Sequence, residues 1–161
     1  MKRLIILFGV IVAVLSMLIA YSTKAQDKQK INTMKLNAGI ITTKLKESKE
    51  FYSKVLNFGV TFENDFYILM HTPDHRSEIA FLLPDHPTQQ PIFQSRFQGK
   101  GIFFTIEVDQ VDDHYKRIKS LGIPIEIELR DEPWGDRHFA IVDPNGVGID
   151  IVKYTPLADK P

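Results

Sequence analysis

The hydrophobic pattern changes character twice along the chain. An uncharged apolar run from Leu4 to Tyr21 follows Lys2-Arg3. From Leu36 onward it gives way to short apolar or alternating segments, typical of strands, interrupted by two amphipathic stretches, typical of helices. The pattern predicts a strand over Leu36–Thr43 and a helix over Glu47–Asn57, with Phe51, Val55 and Phe58 at helical spacing and Gly59 as its cap. Strands at Val60–Glu63, Phe66–His71 and Glu78–Leu83 follow, separated by the turn residues Asn64-Asp65 and Thr72-Pro73-Asp74-His75. Pro84 to Gly99, rich in Pro and Gln, reads as a linker. A second series then begins with a strand over Ile102–Asp109. A helix over Val111–Leu121 comes next, with Val111, Tyr115, Ile118 and Leu121 on one face and Gly122 as its cap. Strands at Ile125–Leu129, His138–Val142 and Gly148–Val152 complete it.

The second series repeats the first. The run from Phe51 to Val60 aligns with the run from His114 to Ile123, so that Tyr52 matches Tyr115, Val55 matches Ile118 and Gly59 matches Gly122. The turn Thr72-Pro73-Asp74 matches Asp143-Pro144-Asn145. Self-similarity of this kind implies duplicated supersecondary units, each too small to close a core alone. The expected fold is α+β: two tandem β-α-β-β-β units, over residues 35–84 and 101–154, forming a curved, mostly antiparallel sheet. Helices cover one face and a groove opens on the other.

Composition narrows the class. The chain has 161 residues, 43% apolar and 25% charged, which suits one domain with a real core. Twenty basic residues balance twenty acidic ones, so nothing suggests electrostatic capture of nucleic acid. With no Cys, disulfides, zinc ribbons and thiol nucleophiles are excluded. Lys2-Arg3, the apolar run and the small residues Thr23 and Ala25 describe a secretory signal peptide over residues 1–25, cut after Ala25. The same run, residues 4–21, is also about long enough to stay uncleaved as a membrane anchor. Either reading exports the folded part, to the periplasm or beyond the cell, behind a polar leader over residues 26–34.

The plan resembles the vicinal oxygen chelate superfamily, which contains glyoxalase I, extradiol dioxygenases and bleomycin-resistance proteins. The resemblance is carried by Leu45-Lys46-Glu47-Ser48-Lys49-Glu50-Phe51-Tyr52 in the first unit. In the second it is carried by Glu132-Pro133-Trp134-Gly135-Asp136-Arg137-His138-Phe139 and Asp143-Pro144-Asn145-Gly146. It covers residues 35–154. Metal-dependent members place four ligands on the first and last strands of the two units, which the resemblance maps onto Asn37, Ala80, Phe103 and Asp150. Of these only Asp150 is a strong oxygen donor, so no metal cofactor is expected; a relocated site of Asp150, Glu107 and Asn37 is the weak alternative. The resemblance also implies a homodimer.

Alternation puts Asn37, Glu78, Phe103, Glu107 and Asp150 on the groove face. Trp134 and Arg137, in the loop entering the penultimate strand, are candidates for stacking on a planar ligand and gripping an anion. The alternative makes Trp134 a core plug and pairs Arg137 with Asp136 or Asp131. His138 is a further candidate for ligand contact, while His71, His75 and His86 read as turn residues. The expected function is binding of a small molecule in the groove without the family metal. The competing reading is a lyase, isomerase or dioxygenase with an altered metal site.

Overall fold

The computed structural model describes residues 34–156. The expected signal peptide or anchor, and all of the leader but Met34, lie outside the described residues. Among the described residues no helix is long and apolar enough to cross a membrane.

The first module comprises β1 (Ala38–Ile41), α1 (Leu45–Leu56), β2 (Gly59–Glu63), β3 (Tyr67–His71) and β4 (Glu78–Leu82). The second comprises β5 (Phe103–Glu107), α2 (Val111–Ser120), β6 (Ile127–Asp131), β7 (Arg137–Val142) and β8 (Gly148–Lys153). The expected tandem α+β plan is present. Its hydrogen bonding divides into two four-stranded sheets, ordered β1-β4-β3-β2 and β5-β8-β7-β6. Each is mixed: β1 runs parallel to β4 and β5 parallel to β8, and the other pairs are antiparallel.

Local chemistry explains most boundaries and three departures from the sequence pattern. Tyr52, Val55 and Leu56 form the buried stripe of α1 at spacings of three and four. The helix ends at Asn57, which takes the left-handed conformation (φ 59°), and not at Gly59. Gly59 instead opens β2, and its missing side chain makes room for His71: a Cβ there would sit 2.4 Å from the imidazole. α2 stops at Ser120, before Gly122 turns the chain with φ 72°. Leu121 therefore falls off the buried stripe and is exposed. β6 begins two residues later than expected, because Ile123 and Ile125 pack against the core ahead of the paired segment.

Both modules share one core, in which Ile40, Met70 and Phe81 join Ile118, Phe139, Ile141, Ile149 and Ile151. The two aligned tyrosines each meet a phenylalanine: Tyr52 packs 5.0 Å from Phe81, and Tyr115 sits edge-on, 5.4 Å from Phe139. Polar ties span the joint. The Tyr52 hydroxyl donates to Asp143 Oδ2 at 3.3 Å, Asn145 Nδ2 donates to Ser48 Oγ at 3.0 Å, and Thr42 Oγ1 bonds Asn145 Oδ1 at 2.7 Å. Arg117 donates to the Lys54 and Val55 carbonyls, placing a cation at the negative end of α1. The linker is held as well: the Phe97 N–H donates to the Ile41 carbonyl at 2.9 Å, and Phe97 packs against the core.

Candidate functional site

The side of each sheet away from the core carries the chemistry. Register shows how the modules correspond there. Gly39 lies opposite Ala80, and Thr105 opposite Asp150. Two residues earlier stand Phe103, the first residue of β5, and Asn37, just ahead of β1. The four positions taken from the resemblance are thus equivalent in pairs, Asn37 with Phe103 and Ala80 with Asp150.

Their side chains offer few donor atoms. Ala80 has no donor atom, and Phe103 presents a ring that is 70% exposed. Asn37 donates its amide to Glu78 Oε2 at 3.1 Å, and Thr61 Oγ1 donates to Glu78 Oε1 at 3.3 Å. That bond holds Asn37 in the first module, whereas Glu107 and Asp150 lie on adjacent strands of the second. Among the described residues no group of three His, Asp or Glu side chains is placed to hold an ion.

Asp150 belongs to a different arrangement. Its Oδ1 lies 2.7 Å from His138 Nδ1, while His138 Nε2 lies 2.8 Å from Glu132 Oε1. The imidazole is thus clasped on opposite edges by two carboxylates, and it has no ring nitrogen left for a ligand or a metal ion. Arg130 Nε donates to the same Glu132 oxygen at 2.6 Å. Burial disfavours the His138 imidazolium, but the hydrogen bonds to Asp150 and Glu132 outweigh it and raise its pKa. Glu132 is held below the usual carboxylate range by His138 first and Arg130 second.

Arg137 turns the other way. Alternation along β7 puts it on the core side with Phe139 and Ile141, both fully buried. Its Nε and Nη2 grip Asp112 in the first turn of α2 at 3.0 and 2.9 Å, and its Nη1 bonds Asp131 at 3.0 Å. The anion fork expected on the groove side is therefore absent from it, and the pairing with Asp131 is the reading that holds. Trp134 is 54% exposed, which excludes the core plug. Its loop is closed by Glu132 N–H to Asp136 O and by Gly135 N–H to Glu132 O, each 2.8 Å, with Gly135 at φ 96°. Thr155 pins the loop from the chain's end, its N–H donating to Asp136 Oδ1 at 3.0 Å and its hydroxyl to the Gly135 carbonyl.

Four participants were not singled out from sequence: Glu132, Asp112, and Arg130 and Thr155, which gave no signal there. Glu132 was visible as the last residue before a hairpin loop, six positions from His138; Asp112 was visible as a first-turn acid of α2. Elsewhere His71 and His75 stack at 3.7 Å, and His86 stacks on Phe66 at 3.7 Å, consistent with turn roles.

The sequence matches the Glyoxalase/Bleomycin resistance protein/Dioxygenase superfamily over residues 31–151. The chain belongs to that superfamily. Solved structures with the same fold include a glyoxalase/bleomycin resistance protein/dioxygenase from Nocardioides, 18% identical with a TM-score of 0.64, covering 88% of this chain and 97% of its own. A bleomycin-binding protein complexed with bleomycin is 19% identical with a TM-score of 0.57, covering 76% and 100%. Lactoylglutathione lyase from Agrobacterium tumefaciens is 18% identical with a TM-score of 0.61, covering 75% and 94%. At these identities the likeness shows the fold alone. Among curated proteins, none matches the chain.

Proposed function

We propose that this superfamily member binds a planar, positively charged or donor-rich small molecule on the exposed face of its second module, without a metal ion. One observation carries the reading. At the position equivalent to Asn37, a solvent-facing phenyl ring, Phe103, stands one strand from the Asp150 carboxylate. Exposed rings of this kind gain by being covered, and a flat ligand covers them. The nearby charges favour a cation: Asp150 and Glu107 supply carboxylates, Arg130 is spent on Glu132, and Arg137 faces the helix side. An anionic ligand, which Arg137 suggested in the sequence, finds no free partner in that side chain. Trp134 adds a second exposed ring on the adjoining loop. The reading also includes export, testable as a mature chain that starts at Gln26, and a homodimer, testable by sedimentation.

The experiment is a fluorescence titration of Trp134, the single Trp of the chain. The probes are bleomycin, a planar acridinium dye and a naphthalenesulfonate of similar size, each with and without EDTA. The cations are expected to bind in either condition and the sulfonate not to bind. Phe103→Ala is expected to weaken the dye by about 0.5–1.5 kcal/mol, the worth of an aromatic contact. Binding that requires an added divalent metal and disappears in Asp150→Ala would replace this reading with the metal-dependent enzyme.

A further inference from the structure

We propose that His138 is the positioning residue of this face: it aims Asp150 and fixes the Trp134 loop without itself touching a ligand. The inference rests on the reading of that face as the binding surface.

The argument starts from the two ends of the imidazole. Nδ1 holds Asp150 Oδ1 on β8, and Nε2 holds Glu132 Oε1 at the start of the loop. The His138 side chain is only 13% exposed, so neither edge is open to a bound molecule. The Asp150 side chain is 30% exposed, and its second oxygen has no partner among the described residues. Fixing one carboxylate oxygen sets the direction of the other, so His138 determines where Asp150 offers its free acceptor.

The loop is fastened at both ends by unrelated means. Thr155 holds Gly135 and Asp136 through the terminal segment of the chain. His138, with Arg130, holds Glu132. Trp134 lies between these two attachments, in a loop whose own closure is two backbone hydrogen bonds. Removing His138 leaves the Glu132 side chain to Arg130, whose own side chain is 58% exposed, so Trp134 loses the less exposed of the two side-chain ties on that side of its loop. An order imposed before binding spares the ligand the entropy of arranging its own stacking surface. One side chain thereby couples a charged group on β8 and an aromatic group on the β6–β7 loop that share no direct contact among the hydrogen bonds described.

The test needs no ligand. Trp134 anisotropy and acrylamide quenching are measured on the full chain in mild detergent, at a temperature where far-UV circular dichroism shows each variant fully folded. His138→Ala is expected to lower the anisotropy and raise the quenching constant. Asp150→Ala is expected to give a smaller change of the same sign in the native background and none in the His138→Ala background, because its influence on Trp134 runs through the imidazole. An unchanged Trp134 in folded His138→Ala would overturn the proposal. So would an Asp150→Ala effect that persists undiminished without His138. If His138→Ala does not fold, Glu132→Ala removes the same tie from its other end, and an unmoved Trp134 there is equally fatal. Because no ligand is present, failure here leaves the binding titration standing, and failure of that titration leaves this result standing.

Discussion

The two modules share strand order and register, yet their exposed faces carry opposite polarity along the sheet. In the first module the row at the start of the sheet is polar: Asn37, just ahead of β1, donates to Glu78, which lies opposite His71. The next rows are apolar: Gly39, Ala80 and Leu69, then Ile41, Leu82 and Tyr67. In the second module the first row is Phe103, Gly148 and Val142, and the polar groups come after it. Thr105 and Asp150 share one row, and Glu107, Val152, His138 and Arg130 the next. Each module therefore keeps one oxygen-bearing side chain of the ligand pair that the resemblance assigns to it, and keeps it in a different row. Backbone duplication supplied equivalent positions, and the side chains at those positions diverged. A shared fold is thus no warrant for a shared site, even within a single chain.

The largest effect that sharpens this comparison concerns the paired tyrosines. Tyr52 is 2% exposed and its hydroxyl reaches Asp143 across the joint, whereas Tyr115 is half-buried and bonds Glu128 and Lys119 at the surface. Tyr52→Ala is expected to cost about 3–5 kcal/mol in urea unfolding, as for other large buried aromatics. Tyr115→Ala should cost roughly half of that, because less apolar area returns to water. Equal losses would break this contrast between the two tyrosines. Burial and the Asp143 carboxylate both push the Tyr52 hydroxyl far above its ordinary pKa, so it stays neutral throughout the usable pH range.

Arg137→Ala comes next. Its ion pairs with Asp112 and Asp131 are partly solvated, so a modest loss of stability is expected that shrinks as salt is added. Dye affinity should be unchanged. A weakened dye with stability intact would return Arg137 to the binding face.

A pH profile separates the modules further. The folded pKa of His138 is raised, so its contribution is complete below the unfolded-state value, near 6.5, and is lost as pH rises through the folded value. Glu132 acts in the opposite sense: its pKa is lowered, and its contribution is lost as pH falls through the carboxylate range. His138→Gln should flatten the alkaline limb of the thermal stability curve. Tyr67, which occupies the His138 row in the first module, has its pKa raised above the ordinary 10.0 by burial and by Glu78, so it adds nothing near neutrality. An alkaline limb that survives in His138→Gln would assign the titration elsewhere.

The smallest effect is that of Trp134→Ala on stability. An exposed loop side chain away from the core should change it by no more than about 0.5 kcal/mol. Its effect on dye binding should be the larger one. A loss approaching that of Tyr52→Ala would mean that the ring is buried after all.

Much of this protein was written in local sequence. Periodicity of two and of near four marked every strand and both helices, because burial of one face is a property of consecutive residues. The matched Tyr, Gly and turn residues revealed the duplication for the same reason. Arg137 is misplaced by a strand read from His138: with β7 beginning at Arg137, alternation puts that side chain on the core side with Phe139 and Ile141. What it could not supply was partners. Asp112 is 25 residues from Arg137 and Asp150 is 12 from His138, and only strand register and helix packing bring them within 3 Å. The helix end at Asn57 was decided by the same long-range fit, since Gly59 was needed where the His71 ring lies. Sequence pattern says which way a side chain faces, because facing is set by its own backbone. Which groups it meets there is set by the other strands, and the His138 clasp and the exposure of Trp134 existed only once those strands were paired.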